Sequence, residues 1–196
     1  MPEKVHSPEF DGGRPLESAA AVLRELFLRP RRFFLNFSPE GEVRDPALFV
    51  MLVTAVAAVT GLVLSILGPA LGLGERGTFW ILLLQAAGFV VLSPLLVAAA
   101  AACYWLSIRT FVGPVTDFRQ VYRILAHAYG PMILFGIPGV GALAFGYGAM
   151  ALMVLAVRGV YRTSLMTALI TALVGFVPVA TALMFFYLVL AGWAHG

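Results

Sequence analysis

This sequence contains little charge and few of the side chains that carry out catalysis. Asp, Glu, Lys and Arg make up 12% of its 196 residues, against about a quarter in a typical soluble domain. Only two of its ten acidic residues, Glu75 and Asp117, come after position 45. Its three histidines and one cysteine show no metal-ligand spacing, and no phosphate-binding loop is present. We therefore predict that the protein is not an enzyme and that it has no catalytic residues, metal or cofactor.

Neither a disulfide framework nor nucleic-acid binding is predicted. The one cysteine, Cys103, lies in the apolar run AAAAACYWL and is interpreted as a small packed residue. The pI of about 9.4 comes from basic residues that lie beside apolar segments, a distribution typical of membrane proteins.

Long uncharged segments are what this sequence has in abundance. Hydrophobic residues make up 61% of it, and the mean hydropathy is +0.94. Uncharged stretches cover residues 46–74, 77–108, 124–157 and 163–196, each longer than the roughly 20 residues that a helix needs to cross a bilayer. The composition predicts an all-α, multi-pass membrane protein.

The lengths of these stretches predict a bundle of five transmembrane helices. Three stretches give one helix each, Pro46–Leu67, Phe79–Ile108 and Leu165–Trp193. The remaining stretch has 34 residues, too many for one crossing and slightly few for two, with the turn signal GIPG near its middle. Two antiparallel helices fit if the first begins near Phe118 and the second ends near Val157.

The basic residues predict how these helices are oriented. With a cytoplasmic N-terminus, twelve of the thirteen Lys and Arg residues lie on the cytoplasmic side, and only Arg76 lies on the other. We therefore expect a cytoplasmic N-terminus, an external C-terminus and a location in the inner or plasma membrane. The chain then divides into a cytoplasmic head, residues 1–45, and a transmembrane domain, residues 46–196.

The head contains a predicted amphipathic helix followed by a basic and aromatic segment. Helical periodicity places four apolar side chains on one face: Leu16, Ala20, Leu23 and Phe27. The next segment combines three arginines with two aromatic residues: Arg29, Arg31, Arg32, Phe33 and Phe34. We expect an interfacial helix on the cytoplasmic leaflet, with this segment at the membrane surface near anionic lipid head groups. The alternative is a small helix packed on the protein's own cytoplasmic loops.

One polar stripe runs into the third predicted helix. Arg119, Arg123 and His127 follow at intervals of four residues and therefore share one side of a helix. Ionisable groups at membrane depth usually face the bundle interior, so we expect a cytoplasmic-side pocket for an anionic group such as a lipid phosphate. Gln85, Tyr122 and Tyr129 are its candidate hydrogen-bonding partners, and we expect Tyr122 or Gln85 near the pocket. The alternative is that the arginines only reach the lipid phosphates from the helix end.

The chain resembles the Yip domain family, the Ypt-interacting proteins. LRPRRFF ahead of the first helix and FRQVYRILAHAYGPMIL running into GIPGVG carry the resemblance, mostly through the Y-x-P and IP-x-x-G patterns in Tyr129–Gly141. It covers roughly Leu23 to the C-terminus and implies a cytoplasmic N-terminus and five membrane helices. Eukaryotic members are associated with Rab-type GTPases and vesicle traffic, but the short head is more similar to prokaryotic members, so a GTPase partner is not carried over.

The expected function is non-enzymatic. We expect membrane organisation or scaffolding, with binding of membrane lipids, a partner protein or a second copy of the chain. The alternative is a transporter or channel for a small or lipidic solute, which would need a continuous polar path. Polar residues occur on the cytoplasmic half of the third predicted helix and hardly at all on its outer half, which favours binding.

Overall fold

The computed structural model describes residues 7–67, 79–114 and 116–194, with only the backbone for residues 79 and 186–194. All the regular structure in these residues is helical. The α-helices are α1 Pro15–Leu28, α2 Pro30–Leu35, α3 Arg44–Leu67, α4 Phe79–Phe111, α5 Phe118–Ala128, α6 Val140–Gly146, α7 Met153–Val160 and α8 Leu165–Ala194. A 3-10 helix, Gly130–Leu134, follows α5, and a π-helical segment, Tyr147–Leu152, joins α6 to α7.

Four helical segments among the described residues are long and apolar enough to cross a membrane: Arg44–Leu67, Trp80–Phe111, Val140–Val160 and Leu165–Phe185. They correspond to the first, second, fourth and fifth predicted helices, so an all-α, multi-pass membrane protein is confirmed. α4 packs between α3 and α8, and the Ser107 hydroxyl of α4 donates a hydrogen bond of 2.7 Å to the Thr171 carbonyl of α8.

The segment that begins at Phe118, predicted as the third membrane helix, is broken. α5 has 11 residues and ends at Ala128, and the chain continues as the 3-10 helix. Pro131 has no backbone N–H to donate, and its ring excludes the carbonyl one turn earlier, so α-helical geometry stops here. Gly139 then takes a left-handed conformation, with φ of 78°, immediately before α6.

The broken segment, residues 118–139, extends from the start of α3 to its second half. At its beginning, Arg123 is hydrogen-bonded to Glu42, just before α3 starts. At its end, Gly136 lies against Ala57 and Gly61 in the second half of α3. Ala57 lies thirteen positions after the start of α3 at Arg44, which corresponds to a distance of about 20 Å along the helix axis. The next segment, from α6 to α7, leads back to the head, since Gly159 in α7 lies against Phe34 of the head.

The head packs on the bundle through a face of α1 that differs from the predicted one. Ala19, Val22 and Leu26 are buried, whereas Leu16 is 73% exposed and Phe27 is 42% exposed. The side of α1 that packs on the protein thus differs from the predicted apolar face, of which only Leu23 is half-buried, and the position of that face on the leaflet stays a prediction. One feature explains how α1 packs: Leu26 and Leu23 lie over Gly130, a residue with no side chain.

Candidate functional site

The structure places the polar stripe of α5 at the junction between the head and the bundle. Asp117 caps α5 by accepting a hydrogen bond of 3.5 Å from the Arg119 backbone N–H. From Val121 to Ala128 the helix is buried on all sides, so Arg123 is 4% exposed and His127 only 1% exposed. Both side chains thus lie in the interior, while Arg119, one turn earlier, is exposed.

The guanidinium of Arg123 is held by the head. Its Nη1 donates to the Glu42 carbonyl at 2.6 Å, and its Nη2 donates to Glu9 Oε2 at 2.9 Å and to the Ser38 carbonyl at 3.4 Å. Gly41, with φ of 127°, lies flat against the guanidinium, and a Cβ there would be 2.7 Å from Nη1. Arg123 Nε is buried and has no hydrogen-bond partner. A buried cation is costly without a counter-charge, and Glu9 supplies one.

His127 lies in a box of aromatic rings. Its ring centroid is 6.0 Å from Phe33, 5.1 Å from Phe37 and 5.6 Å from Phe49. Nδ1 lies 2.8 Å from the Arg123 carbonyl, which can only accept, so Nδ1 carries the proton and Nε2 is left bare without a partner. A charge would be poorly solvated among these rings, so we interpret His127 as a neutral packing residue.

The expected pocket that joins Arg123 to Gln85 is not formed. Gln85 is exposed and lines a cleft of about 490 Å³ between α3, α4 and the turn at Pro138. The cleft reaches Ser65, close to the end of α3, whereas Arg123 lies beside its beginning. The length of α3 therefore separates the two side chains. Tyr122 is near Arg123 in the chain and is buried at 5% exposure.

Sequence reasoning did not identify the head residues that bind Arg123. Glu9 is separated from Arg123 by 114 positions, and Ser38 and Glu42 contribute backbone carbonyls, which any residue type has. One signal was available. Eight of the ten acidic residues lie in the first 45 positions, so a buried arginine further along had most of its possible counter-charges in the head.

The exposed side of α1 and α2 forms a second candidate site, the head outer surface. It contains a shallow cleft of about 580 Å³ and combines arginines with exposed apolar side chains: Phe27, Leu28, Arg29, Arg31, Arg32 and Leu35. Phe33 and Phe34 are not part of it, because they are 1% and 0% exposed in the interior. The expectation that both rings lie at the membrane surface is therefore wrong. In the short helix α2 the two rings directly follow Arg31 and Arg32 and therefore lie on the other side of the helix, which is the side that packs on the protein.

Among the residues described here, no group of three His, Cys, Asp or Glu side chains is placed to hold a metal ion. A family model described as the Yip1 domain matches residues 24–194, which is 171 of the 196 residues. No curated protein and no solved structure gives a significant match.

Proposed function

The chain belongs to the Yip1 domain family, and from this premise we propose that it is a non-enzymatic protein that organises membranes by binding anionic lipid at its cytoplasmic face. The head outer surface is the observation that carries this proposal. It places three exposed arginines beside exposed leucine and phenylalanine side chains, the composition of segments that lie on an anionic leaflet.

The position of this surface supports a membrane location. α2 packs on α7, the last part of a membrane-crossing segment, and Gly159 near the end of α7 lies against the Phe34 backbone. α2 therefore lies at the level where the crossing ends. Each arginine near an anionic leaflet contributes about 1 kcal/mol to the free energy of membrane binding. Arg29, Arg31 and Arg32 would therefore together favour binding of the head to the leaflet.

We further propose five membrane crossings, with the segment 118–139 as the third. It begins beside the start of α3 and ends beside its second half, and α7 then returns to the head. A broken helix is tolerated at membrane depth where protein surrounds it, and α5 is buried from Val121 to Ala128. Five crossings with a cytoplasmic head put the C-terminus outside, in agreement with the distribution of Lys and Arg.

A transporter is the alternative function, and the cleft lined by Gln85 and Ser65 is the observation that favours it. This cleft lies along the outer half of α3. A polar pair, Thr54–Tyr129, has hydroxyls that are 3.3 Å apart. The contact of Gly136 with the backbone of α3 lies between this pair and the cleft. The described residues therefore contain no continuous polar path, and lipid binding at the head is the function that we favour.

The test of lipid binding uses the full chain in lipid nanodiscs. A Cys103→Ala, Leu35→Cys variant carries a polarity-sensitive dye on the head outer surface. We expect blue-shifted emission in phosphatidylglycerol relative to phosphatidylcholine, a shift that weakens at high salt and disappears in the triple variant Arg29→Gln, Arg31→Gln, Arg32→Gln.

A matched control removes the same charge elsewhere in the head. Arg14, Arg24 and Arg44 are exposed and do not line the cleft of the head outer surface. Their triple replacement by Gln should leave most of the emission shift intact. If both triple variants lose the shift equally, net charge rather than this surface attracts the lipid, and the proposal fails. Equal emission in the two lipids would also refute it.

A further inference from the structure

Arg123 and Glu9 form an ion pair whose two members differ in how easily they can be reached. The Arg123 side chain is 5% exposed, whereas the Glu9 side chain is 41% exposed. It is the only ion pair found in the parts of the chain that the structure describes. The cation thus belongs to the core of the bundle, and its anion is supplied from outside by the segment that precedes α1.

The Glu9 carboxylate accepts from only part of the hydrogen-bond donors of the Arg123 guanidinium. One carboxylate oxygen accepts from one nitrogen, Nη2, while Arg123 Nε is buried without a partner. The planar guanidinium of arginine is suited to anions that accept two parallel hydrogen bonds. Glu9 accepts with one oxygen only, whereas a phosphate group has several acceptor oxygens. The site is therefore an anion site that is only partly filled by its own chain.

The segment that carries Glu9 is also held by hydrogen bonds at Ser7 and by the buried ring of Phe10, which is 5% exposed. Ser7 is hydrogen-bonded to the carbonyls of Phe33 at 2.6 Å and Asn36 at 3.2 Å. Phe10 packs on Phe49 with a centroid distance of 5.5 Å. α1 itself is attached independently, through Val22 and Leu26. The segment 7–14 can therefore leave the bundle while α1 remains in place, provided that the anion that replaces Glu9 also offsets the exposure of the Phe10 ring.

We propose that Glu9 is an exchangeable internal ligand of Arg123, and that a phosphate group, carried by a lipid or free in solution, replaces it and releases segment 7–14. The exchange substitutes one anion for another, so the buried guanidinium is never left without a counter-charge, which is the costly state. The inference rests on the proposed function in that an anionic lipid of the cytoplasmic leaflet is the expected source of the phosphate.

The test measures the position of the segment in the full chain. Spin labels at Asp11→Cys and Thr110→Cys, in a Cys103→Ala background, report the distance from segment 7–14 to the cytoplasmic end of α4. We expect one short distance in phosphatidylcholine nanodiscs and a second, longer distance when phosphatidylglycerol is included. Inorganic phosphate added to phosphatidylcholine nanodiscs distinguishes free phosphate from lipid as the source. No change in either arm overturns the inference.

Two conservative variants separate the ion pair from general charge effects. Glu9→Gln keeps an oxygen that can accept from Arg123 Nη2 but removes the negative charge, so release should need about tenfold less of the effective anion, the order expected when a charge-assisted hydrogen bond becomes a neutral one. Glu42→Gln removes the same charge from the head, but Glu42 reaches Arg123 only through its backbone carbonyl, so this variant should respond as the wild type does. Equal responses of the two variants overturn the inference.

The two proposals fail separately. If the dye at position 35 responds to phosphatidylglycerol while the spin-label distance stays unchanged, the head outer surface binds lipid and only the exchange at Arg123 is refuted. If the distance lengthens while the dye does not respond, the exchange stands and the head outer surface is not the lipid site.

Discussion

Replacing Gly136 by Ala should destabilise the protein, whereas replacing its contact partner Gly61 should not. A Cβ at Gly136 would lie 2.7 Å from the Gly61 nitrogen and closer still to the Ala57 carbonyl, both of them backbone atoms of α3. These atoms cannot rotate away, so the turn and α3 must separate. Gly136 is not among the residues with positive φ, so the cost is steric rather than conformational.

The expected sizes follow from the geometry. Overpacking of this kind costs about 1–3 kcal/mol, and for a chain of this length each kcal/mol lowers the melting temperature by about 2–4 °C. At Gly61 the nearest atom to an added Cβ is 3.6 Å away, which is ordinary contact. Alanine there should instead stabilise α3 by about 0.5–1 kcal/mol, because glycine is unfavourable within a helix.

Thermal unfolding of both variants in detergent, followed by intrinsic tryptophan fluorescence, is the measurement. We expect a lower midpoint for Gly136→Ala and an unchanged or higher midpoint for Gly61→Ala. The two substitutions add the same atom on opposite sides of one contact, and the helix gain at Gly61 is confined to that variant, so each midpoint is compared with the wild type. A midpoint of Gly136→Ala at or above that of the wild type would refute the close approach of the turn to α3.

Two further outcomes are expected. Five crossings require that a reporter active only in the cytoplasm be active when fused to the N-terminus and silent at the C-terminus; activity at both ends would establish an even number of crossings. Phe34→Ala should cost about 3–5 kcal/mol in the same unfolding assay, because Phe34 is fully buried against α7. Phe27→Ala, at a residue that is 42% exposed, serves as its control and should cost little, and equal losses would show that the head does not pack as described.

Local sequence patterns predicted the parts of this structure that local physics decides. Four uncharged stretches of more than 20 residues predicted the long apolar helices, because satisfying the backbone in lipid requires helical hydrogen bonds. The four-residue spacing placed Arg123 and His127 on one side of α5, because a helix has 3.6 residues per turn. Their burial followed from the cost of exposing such groups to lipid.

Patterns within a segment were not sufficient to choose between two faces of one helix. Both faces of α1 carry apolar side chains, and the face that packs on the protein carries Val22 and Leu26, with Leu26 lying against Gly130. That contact depends on a residue more than 100 positions away in the chain. The same holds for Phe33 and Phe34, which resemble membrane anchors in sequence but are buried in the interior, with the Phe33 ring beside His127 of α5.

Composition and periodicity within one element were enough to predict an all-helical membrane protein, its apolar segments and the interior position of Arg123 and His127. Only the packing of distant elements shows that Glu9 pairs with Arg123 and that Gln85 lines a separate cleft beside the second half of α3. These facts depend on which surfaces meet when the elements pack. Such contacts join residues far apart in the chain. They depend on whether the shapes and charges of two surfaces fit each other, and neither segment shows this by itself.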